Sequence, residues 1–272
     1  MIIDGKQLAK EVLVELKQEI EDKKLQLAMA AVLVGDDPEF KKFVDLKGKV
    51  AEAAGVNFTV YKFPEDIETE ELKKNLKEIV EWSDGVLVEL PLPKHIDQQA
   101  VLNCVPVEKD VDVLSEDAQK LFYDNKSKIN PPAVEALKIV LDKNNIKLKN
   151  KTVAVFGYGV LIGKPIAHWM ELGGADVKVI RSKTQNPAEI SKEADIIVSG
   201  VGKPGLITDI MVQDGAMIVD FGYGKNADGK MMGDVDFNSV LPKVSLITPV
   251  PGGVGPILIA AVLKNLIKLN LR

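Results

Sequence analysis
The residues with the clearest chemical potential are glycines. Gly157-Tyr158-Gly159-Val160-Leu161-Ile162-Gly163 follows an apolar run, Thr152-Val153-Ala154-Val155-Phe156, and precedes a helical pattern over 165–172. Strand, glycine loop and helix in that order bring backbone amides close to a pyrophosphate, because missing side chains leave room for it. A tight turn between packed elements is the alternative reading of the same glycines. At the end of the following strand, an NAD enzyme usually carries an acid for the ribose 2′-hydroxyl, whereas this chain has Arg181 and Ser182. An acid there would repel a 2′-phosphate; arginine pairs with one and serine donates to it, which favours NADP over NAD. Arg181 as a solvated charge at a strand end is the competing view. A second loop, Pro249-Val250-Pro251-Gly252-Gly253-Val254-Gly255-Pro256, is too rich in proline and glycine for regular structure, and its backbone is expected to approach something closely.

The elements that must position these loops alternate. Asp4 with Gln7 three residues on suggests a capping box, and Leu8, Val12, Leu16 and Ile20 recur on one helical face. Then come a strand over 27–34, a turn at Gly35-Asp36-Asp37-Pro38, a helix over 39–54 carrying Lys47, a strand over 56–63, a helix over 69–82 and a strand over 85–88. A short helix over 97–103, the polar loop 109–112 and a helix from Pro131-Pro132 through Leu141 follow. The Lys/Asn-rich stretch 142–150 suggests a domain boundary. Beyond it, strands at 152–156, 177–180, 195–198 and 217–220 alternate with helices, which implies a parallel sheet covered on both faces. A last helix is expected over 257–271, with Lys264, Lys268 and Arg272 on one face.

Whole-chain properties narrow the classes. At 272 residues there is room for about two domains, and neither needs disulfides or metals to fold. The lone Cys104 and the absence of a secretory pattern before Asp4-Gly5-Lys6 suit a reducing, cytoplasmic setting. A net charge of −5 argues against a nucleic-acid surface, and the apolar run 27–34 is far too short to span a bilayer. His95 and His168 lie in no metal-binding spacing, so no metal is expected. The partner expected is a small molecule.

With these motifs in view, the chain resembles the methylenetetrahydrofolate dehydrogenase/cyclohydrolase family over nearly its whole length. The resemblance rests on Ile3-Asp4-Gly5-Lys6, Val34-Gly35-Asp36-Asp37-Pro38, Leu87-Val88-Glu89-Leu90-Pro91-Leu92-Pro93 and Lys109-Asp110-Val111-Asp112. Gly163-Lys164-Pro165, Ser199-Gly200-Val201-Gly202, Gly233-Asp234-Val235 and the run from Thr248 to Pro256 extend it. It implies an α/β protein: an N-terminal α/β substrate domain and a Rossmann-like, doubly wound parallel-sheet NADP-binding domain, with a cleft between them. The substrate domain would take residues 1–141, joined by the C-terminal helix 257–272; the cofactor domain would take 142–256. The implied chemistry is oxidation of 5,10-methylenetetrahydrofolate by NADP to the methenyl form, then hydrolysis to 10-formyltetrahydrofolate, usually in a homodimer.

Residue roles are likewise implied. Lys47 aligns with the family's catalytic lysine; without the motif it would read as a surface lysine among Lys41, Lys42 and Lys49. Asp112 aligns with a folate-binding aspartate, whose carboxylate can accept two parallel hydrogen bonds from the pterin, while Asp110 reads as structural or solvent-facing. Phe43, Leu90, Pro91, Pro251, Gly252 and Gly253 fall on the substrate side, and Gly157, Tyr158, Gly159, Ile162, Gly163, Arg181, Ser182, Val201 and Gly202 on the cofactor side. Several positions depart from the family pattern. Phe43 replaces a tyrosine, Glu89 a glutamine, Val113 a glycine, Pro132-Ala133 a Cys-Thr pair, Tyr158 and Gly159 an arginine and a serine, and Ile257-Leu258 a Met-Thr pair. A carboxylate at Glu89 is expected to pair with Lys47. Two other functions stay open on these grounds: a catalytically silent binding relative, and an NADP oxidoreductase on another small substrate.

Overall fold
The computed structural model describes residues 1–271. It divides into two compact units, Met1–Lys10 with Ala133–Leu258, and Glu11–Pro132 with Ile259–Arg272. Those divisions fall inside helices rather than in the Lys/Asn-rich stretch 142–150. Arg272, expected on the face of the last helix, lies outside the described residues.

The elements of the unit centred on Glu11–Pro132 begin with α1 (Gly5–Asp22), whose first turn is capped by Asp4 Oδ1 accepting from Gln7 N at 3.0 Å. Then come β1 (Ala28–Val34), α2 (Pro38–Ala53), β2 (Asn57–Phe63), α3 (Thr69–Glu81), β3 (Gly85–Val88), α4 (Gln98–Leu102) and α5 (Glu116–Tyr123). β1 pairs in parallel with β2 on one side and β3 on the other, from Met29 opposite Gly85 to Val32 opposite Val88. All of β3 is buried, as a strand covered on both faces requires, and Val32, Leu72, Leu76 and Val101 build the core around it. α5 has no counterpart in the sequence reading; Ser115 caps it by accepting from Ala118 N.

The second unit contains most of α6 (Pro132–Lys143), then β4 (Thr152–Phe156), α7 (Gly163–Leu172), β5 (Asp176–Ile180), α8 (Pro187–Ser191), β6 (Ile196–Ser199) and β7 (Met217–Asp220). A small antiparallel hairpin, β8 (Gly224–Lys225) with β9 (Met231–Met232), is followed by α9 (Phe237–Val240), β10 (Leu246–Ile247) and α10 (Val254–Asn270). The five-stranded sheet has the order β10-β7-β6-β4-β5 and every pairing in it is parallel. The chain therefore runs outward from β4 to β5, then crosses to β6 on the other side. That reversal opens a crevice beyond the carboxyl ends of β4 and β6, where doubly wound sheets take ligands.

Two helix starts lie two or three residues earlier than the sequence reading puts them, both because glycine and proline sit in a first helical turn. α7 starts at Gly163 rather than at 165, and α10 starts at Val254 rather than at 257, so Gly255 and Pro256 are helical. Proline has no N–H to lose there, and its fixed φ suits the turn.

Candidate active site
α2 places Phe43 and Lys47 one turn apart on the same face, and the Lys47 ammonium lies 4.7 Å from the Phe43 ring centroid. Lys47 Nζ donates to Glu89 Oε1 at 2.5 Å, and the two side chains are only 12% and 8% exposed. Glu89 gains its place by extending β3, since its N–H donates to Val32 O of the central strand. The pair expected from the sequence is thus present and largely sealed from water. Leu90 and Pro91, joined by a cis peptide, continue directly from Glu89; Leu90 is half-buried and Pro91 exposed.

The loop bearing Asp112 is built on its neighbour. Asp110, expected to be structural or solvent-facing, is 3% exposed, and its Oδ2 accepts from Leu114 N, Ser115 N and Ser115 Oγ at 2.9, 2.8 and 2.7 Å. Asn265 of α10 adds a brace by donating to Val111 O and Asn130 O. Between the brace and the carboxylate, Val113 has φ +58°, the left-handed region that a β-branched residue avoids. That explains why a glycine suits this position. Burial pushes the Asp112 carboxyl up to about 7; the Lys47 charge opposes the rise, and the negative charges of Glu89 and Asp110 add to it. One cation thus faces two carboxylates, one of which exchanges its proton near neutrality.

In the sheet unit, the glycine loop is fixed by close approach. A side chain on Gly163 would place Cβ 2.2 Å from Gly157 O, and Gly157 has φ +91°. Gly159, by contrast, has no atom within 4 Å of a Cβ position, so packing leaves the space beside it open. Ile162 holds the opposite loop at bay, its Cγ2 lying 2.5 Å from where a Gly200 Cβ would be. Arg181 Cζ sits 4.2 Å from the centroid of the Tyr158 ring. Arg181 and Ser182 line a pocket of about 240 Å³ with Gly157, Thr184, Val201 and Lys203.

The far wall of this pocket hangs on one buried carboxylate. Asp234 Oδ2 accepts from Ser199 Oγ and Val201 N, both at 2.7 Å, and Oδ1 accepts from Lys203 N at 2.6 Å. Asp220 in turn accepts from Gly222 N, Asp234 N and Val235 N, and burial raises its carboxyl to about 6. Gly202, with φ +73°, completes the turn. Lys203 and Thr184 were missed from the sequence, although Lys203 directly follows the Ser-Gly-Val-Gly run.

The second glycine-rich loop is clasped from the start of the chain. Gly5 N donates to Gly252 O at 3.0 Å, and a Cβ on Gly5 would fall 1.7 Å from Gly253 O. Gly252, with φ +97°, and the cis bond before Pro251 shape the rest of the turn. Among the described residues no group of three or more His, Cys, Asp or Glu is placed to hold a metal ion, and no helix is long and apolar enough to cross a membrane.

These features fit a phosphorylated dinucleotide. Backbone crowds out side chains at Gly157 and Gly163, a ten-residue helix begins at the loop, and two cations border a pocket at the switch in strand order. Comparison with known proteins agrees. Residues 3–112 match the family model of the tetrahydrofolate dehydrogenase/cyclohydrolase catalytic domain, and residues 131–272 that of the family's NAD(P)-binding domain. A "Bifunctional protein FolD" from Hydrogenobaculum sp. is 41% identical over 273 residues, 98% of this chain and 97% of the relative. The FolD methylenetetrahydrofolate dehydrogenase/cyclohydrolase of Campylobacter jejuni superposes with a TM-score of 0.94 at 33% identity, covering 99% of this chain and 98% of that one. The Trypanosoma brucei FolD, complexed with NADP and an inhibitor, gives 0.93 at 30% identity, with coverage of 99% and 96%. With both halves matched and a relative alike along nearly the full length, this chain belongs to the tetrahydrofolate dehydrogenase/cyclohydrolase family.

Proposed function
We propose that the chain oxidises 5,10-methylenetetrahydrofolate with NADP to the methenyl form and hydrolyses that product to 10-formyltetrahydrofolate. The observation that carries this reading is the shielded Lys47–Glu89 ion pair, whose charges act on the Asp112 carboxyl that burial pushes up to about 7. Asp112 accepts two parallel hydrogen bonds from the pterin N3–H and 2-amino group, a donor pair a carboxylate matches. Such a pair of donors also favours the charged form of Asp112 that burial disfavours. Lys47 stabilises charge and relays a proton as water adds to the methenyl carbon, with Glu89 fixing its position and Phe43 covering its flank. Leu90, Pro91, Pro251, Gly252 and Gly253 are assigned to the substrate on the family's motifs.

Gly157, Gly159, Ile162, Gly163, Val201 and Gly202 would hold the dinucleotide, and Arg181 and Ser182 its 2′-phosphate, with the Tyr158 ring against the arginine. Bound NADP supplies the hydride acceptor. For the oxidation the protein needs chiefly to bring two rings together and exclude water, which positioning alone achieves. We assign the folate chemistry to residues 1–141 with 257–272, and the dinucleotide to 142–256. Cys104, the lone cysteine, supports a cytoplasmic setting. A homodimer is supported by β2, which has a strand partner on one side only, and by Trp82 beside it, 81% exposed. Trp82→Glu should then lower the mass seen by light scattering to that of a monomer.

The deciding experiment supplies 5,10-methylenetetrahydrofolate with NADP or NAD and follows the methenyl product and the reduced nicotinamide separately. Reduced nicotinamide with NADP supports the oxidation, and loss of the methenyl signal supports the hydrolysis. No reduction with either dinucleotide would overturn the reading.

A further inference from the structure
Arg181 and Lys203 border the same pocket, and among the described residues neither has a carboxylate partner. Arg181 lies instead over the ring of Tyr158, its Cζ 4.2 Å from the centroid. That ring is 40% exposed, so it is not there to complete a core. A guanidinium held over a ring by cation–π attraction still has N–H donors with which to grip a phosphate. The stack also restricts a long side chain before any ligand arrives, which removes part of the entropy cost of binding. Tyr158 stands where the resemblance expects an arginine, so the glycine loop itself brings no cation. Lys203 brings one from the opposite loop, with its backbone pinned by Asp234 Oδ1 at 2.6 Å. Thr184 Oγ1 accepts from Arg181 N at 2.8 Å, tying the backbone of the arginine as the ring ties its side chain.

We propose that Tyr158 is a specificity-determining positioning residue: its ring holds Arg181 at the pocket so that Arg181 and Lys203 together receive the 2′-phosphate. This rests on the NADP reading above and deepens it. The substitution that removed one arginine from the loop is then compensated in two ways, by fixing the remaining arginine and by recruiting Lys203.

Calorimetric titration of the full-length protein with NADP, NAD and 2′,5′-ADP, without folate, tests this apart from turnover. Tyr158→Ala should weaken NADP and 2′,5′-ADP roughly two- to five-fold and leave NAD unchanged, while Tyr158→Phe retains wild-type affinities. Lys203→Ala and Arg181→Ala should each cost NADP about ten-fold or more and spare NAD. In an Arg181→Ala background, Tyr158→Ala should add nothing further. Equal weakening of NAD and NADP by Tyr158→Ala, or full additivity in the double variant, would overturn the proposal. A wild-type protein that does not prefer NADP removes the cofactor reading and this proposal with it. A preference that neither Tyr158→Ala nor Lys203→Ala diminishes removes the proposal and leaves the cofactor reading standing on Arg181.

Discussion

Replacing Asp112 by asparagine should make the protein more stable, and increasingly so as the pH rises. Burial holds the carboxyl at about 7 in the folded protein against 3.8 for the free group, so folding raises its pKa by about three units. At ~1.4 kcal/mol per unit this amounts to about 4 kcal/mol, a ceiling because half-buried Asp112 keeps some contact with water. The sign follows from proton counts. Between pH 4 and 7 the folded state keeps a proton that the unfolded state has released, so raising the pH favours unfolding across that window. Below it both states are protonated, above it neither is, and the curve flattens. Asparagine has no proton to lose. Urea titrations of both proteins from pH 4.5 to 8 should show the stability gap widening by ~1.4 kcal/mol per unit and levelling off above pH 7. The titration of Asp220, raised to about 6 in the other unit, is common to both proteins and cancels. A gap that does not change with pH, or one that narrows, would refute the assignment of Asp112 as a destabilised carboxylate held for a ligand. Folate binding should be lost in the same variant.

Val113→Gly relieves left-handed strain of roughly 1–2 kcal/mol but deletes a side chain that is 2% exposed and worth about 1.5–3 kcal/mol to bury, so the variant should lose stability in urea; a gain would show that the backbone cost outweighs the packing. Phe43→Tyr combined with Glu89→Gln should raise the rate of methenyl hydrolysis while leaving the NADP-linked oxidation near its starting rate. No increase would mean that those two positions are not what limits the hydrolytic step. Gly5→Ala should lower the melting temperature and impair folate binding, because its Cβ collides with Gly253 O. An alanine variant as stable as the parent would show that the N-terminal clasp yields at little cost.

Much of the scaffold was legible because parallel strands covered on both faces are short continuous apolar runs. Gly85–Val88, Ile196–Ser199 and Met217–Asp220 are buried along their whole lengths. α5 escaped because eight residues with two buried positions leave little periodic signal. The start of α10 escaped because Gly255 and Pro256 read as loop residues until they are seen in a first turn. At the site, pairing of Lys47 with Glu89 was anticipated from the motifs. The φ of Val113 was not, although the missing glycine marked the place. Tyr158 over Arg181 joins residues from two loops, and Gly5 owes its identity to Gly253; neighbours so far apart in sequence leave no local pattern. Gly233-Asp234-Val235 was visible as a motif, but the three donors converging on Asp234 needed the fold.

The N-terminal clasp carries a consequence for biosynthesis. The Met1 ammonium donates to Ser245 O, Ile247 N to Met1 O, and Ile3 N to Ile247 O, so the first residues lengthen the sheet beside β10. In the other unit, Asn270 Nδ2 donates to Asp84 O, and Gly85 has no Cβ because Leu266 occupies its place. Translation at ~5–20 residues per second puts roughly 12–50 s between the appearance of Met1 and that of its partners. Throughout that interval β3 lacks the helix that packs on Gly85, and the opening segment has no strand to join. Neither unit can close until those late residues have been made, so both sheets stay incomplete throughout that interval.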